Sequence, residues 1–213
     1  MNADGTDVKR LTNNPADDSE PAWSPDGLQI AFFRSSDTPG ASGIYSINTD
    51  GTGESPNPLA PGELPAWSPD GQKIAFVSGL EGDVTGQIFV MNADGTGQTR
   101  LTHSDTTQPV GIPALNTQPI WSPDGQQIAF MSTRDTNPDT GFTNEEIYVM
   151  NADGSRQTRL TNDPAEDSEP AWSPDGTRIA FTSNRNSPPI RQRRRRKHLR
   201  DGCERQQRQA AHE

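Results

Sequence analysis

Apolar residues arrive in short runs of β type along most of the chain. They include IAFF at 30–33, IYSI at 44–47, IAFV at 74–77, IFVM at 88–91, IAFM at 128–131 and IYVM at 147–150. Gly, Pro, Asp and Asn fall mainly between these runs, which is the punctuation of strands joined by tight turns. No stretch of 1–190 has helical periodicity. The pattern predicts an all-β fold made of small repeated packets rather than one thick core.

The packets are copies of one unit. PAWSPDG stands at 21–27, 65–71 and 170–176, and PIWSPDG at 119–125, so all four tryptophans fall inside the same phrase. Trp-to-Trp spacings are 44, 54 and 51 residues. IYSINTDG (44–51), IFVMNADG (88–95) and IYVMNADG (147–154) form a second element, and RLT recurs at 10–12, 100–102 and 159–161. Periods of about 40–50 residues with several strands per unit indicate propeller blades. PAWS gives the first strand, the IAF segment the second, IYVMN the third and the segment ending in RLT the fourth. In S-P-D-G, proline suits the second position of a type I turn, Asp the third, and Gly the left-handed position that follows. N-A-D-G does the same between strands three and four, so each blade is an antiparallel meander. Full sets of four strands are expected on Trp23, Trp67 and Trp121. Two are expected on Trp172, with a lone outer strand ending at Thr12.

The phrase PAWSPDG, with IYVMNADG and RLT in fixed order, resembles the TolB-type propeller repeat, a relative of WD repeats, over about residues 1–185. The resemblance implies a β-propeller like that of the periplasmic component of the Tol–Pal envelope system. That family binds proteins with its propeller and needs no cofactor. Similar repeats occur in the propellers that cap prolyl-oligopeptidase-like enzymes and in uncharacterised exported proteins. The family has six blades preceded by an α/β domain and a signal peptide, and this sequence opens instead at a methionine that aligns with Met91 and Met150. The expectation is an open or incomplete ring of about four four-stranded blades. Exposed blade edges then invite self-association.

Charge divides the chain in two. Residues 1–190 carry 10 Lys+Arg against 26 Asp+Glu, whereas 191–213 carry 9 basic and 3 acidic residues. The acidic part would repel phosphates, which speaks against nucleic-acid binding. The basic segment 191–213 is expected to be a disordered tail or a frameshifted blade. With suitable third bases, its codons read one base later spell GNDDGENIYVMDANGNNGKRLT, the element that the repeat calls for there. This makes a truncated, frameshifted fragment the expectation, with 1–190 as the propeller. A chain expressed without a signal peptide would stay cytoplasmic, whereas the related family works outside the cytoplasm. No apolar run approaches the roughly 20 residues of a membrane helix, so no membrane insertion is expected. The single cysteine, Cys203, leaves no intrachain disulfide.

Candidate chemistry is sparse. Trp23, Trp67, Trp121 and Trp172 are assigned to blade packing. Asp26, Gly27, Asp70, Gly71, Asp124, Gly125, Asp175 and Gly176 are assigned to turn geometry. Meander parity gathers these turns on one face with Asp4, Asp50, Asp94 and Asp153. Their spacing fits no calcium cage, so no metal is expected. His103 stands alone, and no G-x-S-x-G elbow, Walker loop, GxGxxG or zinc cluster is present, so no catalytic residue or cofactor is assigned. The opposite face carries the variable loops 103–117 and 133–146, where Ile112, Leu115 and Phe142 are the candidate anchors for a protein partner. The expected function is a non-catalytic protein-interaction scaffold. The alternatives are the propeller of an exported prolyl-oligopeptidase-like hydrolase or carbohydrate-active protein, or a fragment without function.

Overall fold

The structure is a computed structural model that describes residues 1–79, 86–103, 114–135 and 143–185. The basic segment 191–213 lies outside the described residues. Blade 1 holds β1 (Asp17–Trp23), β2 (Gln29–Ser35) and β3 (Gly43–Asn48). Blade 2 holds β4 (Glu63–Trp67), β5 (Lys73–Ser78), β6 (Gln87–Asn92) and β7 (Thr99–Arg100). Blade 3 holds β8 (Asn116–Trp121), β9 (Gln127–Ser132), β10 (Glu146–Asn151) and β11 (Thr158–Arg159). Blade 4 holds β12 (Asp167–Trp172) and β13 (Ile179–Ser183). Neighbouring strands pair antiparallel in sequence order within each blade, and no helix occurs among the described residues.

Two expectations about outer strands need correction. Blade 1 is a three-stranded sheet, with one isolated bridge between Ile44 and Ala60 in place of a fourth strand. Its outer segment contains Pro56 and Pro58, which have no N–H to give to a ladder. From this outer segment, Ser55 and Leu59 donate to β3, at Ser46 O (2.9 Å) and Ile44 O (2.7 Å). Gly43 makes this close approach feasible, because a Cβ there would stand 2.4 Å from Ala60 O. Likewise residues 1–12 form no strand. In blade 2 the outer strand pairs with β6 through Phe89–Arg100 and Val90–Thr99, a pairing that residues 1–12 do not make with any of the described strands.

The S-P-D-G turns are built alike. Gly27 N donates to Ser24 O at 2.9 Å, and the four turn glycines have φ of 70°, 68°, 70° and 69° in chain order. Asp26 Oδ1 accepts from the Ser24 hydroxyl (2.6 Å) and from Leu28 N (3.0 Å). The same pair of bonds recurs at Asp70, Asp124 and Asp175. The first cause that holds these carboxyls below the usual range is the serine hydroxyl bond, followed by the backbone N–H.

A sheet with two apolar faces must be covered by its neighbours, and each blade here stacks on the one before it. The tryptophans carry the stacking. Trp67 Nε1 donates to Ala22 O (3.2 Å), Trp121 Nε1 to Ala66 O (3.1 Å) and Trp172 Nε1 to Ile120 O (3.3 Å). Each bond reaches the residue just before the previous tryptophan. Between blades 2 and 3 a core forms from Ala75, Ile88, Val90 and Leu101 on one side and Trp121, Ile128, Phe130, Tyr148 and Met150 on the other. Between blades 1 and 2, Ala31 and Ile44 meet Trp67, Ile74, Phe76, Phe89 and Met91. The blades curve into an arc that does not close. At one end Trp23 is 62% exposed, and at the other Phe181 is 36% exposed.

Candidate functional site: an acidic axial groove

The innermost strands β1, β4, β8 and β12 pack on one another in turn and line the concave axis of the arc. A groove of 370 Å³ runs along it, lined by Glu20, Pro21, Leu64, Pro65, Gln118, Pro119, Ile120, Glu169 and Pro170. These residues come from one repeated position. The proline of each PAW or PIW phrase cannot donate to the neighbouring strand, so the ladder breaks there. The register shifts between Ser19 and Ala22, Glu63 and Ala66, Thr117 and Ile120, and Ser168 and Ala171. A β-bulge re-aims the chain at such a break.

The residue before each proline turns left-handed. Glu20, Leu64, Gln118 and Glu169 have φ of 54°, 53°, 55° and 54°, which makes them four of the six non-glycine residues with positive φ among the described residues. Each such residue costs on the order of 1–3 kcal/mol, so four in register need compensation from the surroundings. Inter-blade bonds supply part of it. Glu20 Oε2 accepts from Leu64 N, and Gln118 Oε1 accepts from Glu169 N, both at 2.7 Å. The flipped backbone of one blade is thus held by the side chain at the same position of the blade before. Among the described residues, the charges that line the groove are those of Glu20 and Glu169, and both are negative. Partial desolvation first, and the Glu20 charge second, push the nearby Glu63 carboxyl up.

A second depression of 730 Å³ lies between blades 2 and 3, with Asp70, Asp124 and Asp153 in its lining beside Lys73 and Trp121. Its carboxylates are engaged in their own turns. Among the described residues, no three His, Cys, Asp or Glu are grouped to hold a metal.

The candidate anchors fare differently. Ile112 and Phe142 lie outside the described residues. Leu115 is half-buried, and its backbone bonds both ways with Thr133 at 3.0 Å. Its Cδ1 would stand 3.2 Å from a Cβ at Gly86, so the side chain is taken up against the start of β6.

Arginine sandwiches were not foreseen from the sequence. Arg34 lies 5.2 Å above Phe32 and 4.5 Å above Tyr45, rings that themselves stack at 5.9 Å. It is forked onto Asp18 (2.7 and 3.0 Å) and bonded to Glu54 (2.6 Å). Arg134 repeats the stack over Phe130 (5.2 Å) and Tyr148 (4.8 Å), and Arg185 lies 5.3 Å above Phe181. The signal was an arginine shortly after IAF in three of the four units, as in IAFFR, IAFMSTR and IAFTSNR. These arginines bond to the start of the innermost strand of their blade, at Asp18, Asn116 and Asp167, and are not among the residues that line the groove.

Comparison with known proteins bears on the repeat. Residues 60–140 match the model of the TolB beta propeller domain. Over those residues the repeat is TolB-like. Over 58 residues the chain is 41% identical to the Tol-Pal system protein TolB of Rhizorhabdus wittichii, covering 27% of this chain and 13% of that one. Over 67 residues it is 39% identical to the uncharacterized peptidase YuxL of Bacillus subtilis, covering 32% of this chain and 9% of that one. The crystal structure of TolB from Acinetobacter baumannii superposes with a TM-score of 0.62 at 24% identity, over 84% of this chain and 41% of that one. The chain therefore spans less than half the length of each of these proteins.

Proposed function

We propose that this TolB-like propeller is a non-catalytic protein-interaction scaffold, and that its docking surface is the axial groove. The observation that carries the reading is the row of left-handed residues at 20, 64, 118 and 169 beside prolines, with Glu20 and Glu169 as the charged lining among the described residues. Strained backbone held by inter-blade bonds gives a rigid floor, and rigid scaffolds carry binding sites well. The negative lining selects an extended, basic peptide segment of a partner protein. The relative named as a Tol-Pal system protein supports work at the cell envelope, outside the cytoplasm.

The test is fluorescence anisotropy with a labelled Lys/Gly peptide at low salt, against a Glu/Gly control. The variant is Glu20→Gln with Glu169→Gln, which removes both charges and keeps an acceptor for Leu64 N. The basic peptide should bind the native chain and lose about tenfold in affinity to the variant, roughly the 1.4 kcal/mol that two surface charges can supply. Equal binding of both peptides, or unchanged binding by the variant, would sink the proposal.

A second reading is favoured by the 39% identity to YuxL. In it the blades form the propeller portion of an exported peptidase. Mass spectrometry of the natural gene product decides between them. A polypeptide continuing into a domain with a G-x-S-x-G serine would support the peptidase reading.

A further inference from the structure

The two ends of the arc carry the two halves of one blade junction. Three contacts recur inside the chain wherever one blade meets the next. First, the tryptophan of the later blade donates to the carbonyl before the tryptophan of the earlier one. Second, the S-P-D-G glycine of the later blade lies on the proline of the earlier turn. Cβ atoms built at Gly71, Gly125 and Gly176 would meet Pro25, Pro69 and Pro123 at 3.4, 3.6 and 3.6 Å. Third, the glycine of the other turn lies on a leucine of the outer segment before it. Gly51 meets Leu11, Gly95 meets Leu59, and Gly154 meets Leu101, with nearest approaches of 3.7, 2.9 and 3.1 Å.

Each contact has an unmatched part at each end. At the leading end, Trp23 is 62% exposed, and built Cβ atoms at Gly5 and Gly27 meet nothing within 4 Å. At the trailing end, Leu160 is 49% exposed, and Ala171 and Pro174 are exposed as well. Ala180 is also exposed, while its counterparts Ala31, Ala75 and Ala129 are wholly buried. The strands divide in the same way. Blade 4 contributes the inner pair β12 and β13, and residues 1–12 hold a N-A-D-G turn and the Leu11 that packs against Phe32, Tyr45 and Ile47 of blade 1. Inner pair and outer segment are complementary parts of one blade.

We propose that a second copy of this chain docks head-to-tail on the first. Trp23 of one copy bonds Ala171 O of the other, its Gly27 seats on Pro174, and its Gly5 seats on Leu160. Residues 1–12 of one copy and β12–β13 of the other then form a composite blade. The contact is heterologous, so it leaves one free head and one free tail and either closes a ring or extends. It does not depend on what the axial groove binds.

Sedimentation velocity of the full chain between about 1 and 100 µM reads this directly, over the range of modest protein–protein affinities. The native chain should gain mass with concentration, and its Trp emission should shift to the blue as Trp23 is covered. Trp23→Arg blocks the head and Leu160→Lys blocks the tail; both sites are well exposed, and a cooperative melt checks each variant. If Trp23→Arg does not melt cooperatively, Trp23→Ser takes its place. Either variant alone should be monomeric, and their mixture should give a one-to-one dimer and nothing larger. The proposal is overturned if the native chain stays monomeric throughout, whether Trp23 remains open to iodide quenching or is already shielded by closure within one chain. It is equally overturned if the single variants still associate, which would place the contact at strand edges.

Discussion

The indole Nε1 of Trp121 lies 3.1 Å from the carbonyl oxygen of Ala66, one blade back and one residue before the preceding tryptophan. Trp121 is 7% exposed, while Trp23, which occupies the same place in the repeat, is 62% exposed. One phrase therefore does different amounts of energetic work according to what stands behind it.

Replacing these tryptophans should give a graded series. Trp121→Ala should cost about 3–5 kcal/mol, the range for a buried large side chain, and Trp121→Phe about 1–2 kcal/mol through the lost bond and packing. Trp67→Ala and Trp172→Ala should fall below Trp121→Ala, because both side chains are only half-buried. Trp23→Ala should cost less than about 1 kcal/mol at dilute concentration, as expected for an exposed site. Urea unfolding followed by far-UV circular dichroism gives the ranking, and a large loss at Trp23 would contradict it.

Arg34 is a buried cation whose two carboxylate partners, Asp18 first and Glu54 after it, hold its pKa above the ordinary guanidinium value. Arg34→Lys keeps the charge but cannot reproduce the fork on Asp18 together with the stack on Phe32 and Tyr45. A loss of about 1–3 kcal/mol is expected, with little change between low and high salt because the pair is shielded from solvent. A fully tolerated lysine would mean that the ring stack and the fork contribute nothing.

The turn carboxyls set the acid limit. Asp26, Asp70, Asp124 and Asp175 are held low by a serine hydroxyl first, and Asp4, Asp50, Asp94 and Asp153 by a threonine or serine hydroxyl first. A depressed carboxyl adds stability above its unfolded value of about 3.9, and that stability disappears as pH falls through the lower folded value. Glu145 runs the other way, because burial and then the Glu166 charge push it up. It favours the fold below about 4.3 and works against it as pH rises through its folded value. Melting temperature should therefore fall below about pH 4, and Glu145→Gln should stabilise at pH 7 but not at pH 4. A melting temperature that holds steady down to pH 2.5 would rule out the turn-carboxyl account.

Much of this architecture could be read from one dimension because the repeat places turn formers at fixed offsets. The Pro-Asp-Gly turns and the order of strands within a blade depend only on local chemistry, and the sequence states that chemistry four times. The left-handed residue before each PAW proline was harder to see. A residue before proline is usually extended; the ladder break accompanies the departure in all four copies, and inter-blade bonds from Glu20 and Gln118 hold it at Leu64 and Glu169. An acceptor side chain at that position in three of the four copies was the available clue. The Arg34 site was hidden for a different reason, since Asp18 and Glu54 lie 16 and 20 residues away and their acidic identities change at equivalent positions of the repeat, where Arg134 meets Asn116 and Gln157. Leu115 looked like a displayed anchor because loops tend to display their apolar residues, but Gly86 leaves space that it fills.

The tryptophan bonds all point the same way, each from a later blade to an earlier one. Every junction is thus encoded within a single repeat, with its donor and acceptor carried by the same few residues. A chain of this kind can in principle gain or lose whole units, and each product still finds matching surfaces at the new seam. Blade number then becomes a heritable variable separate from blade chemistry.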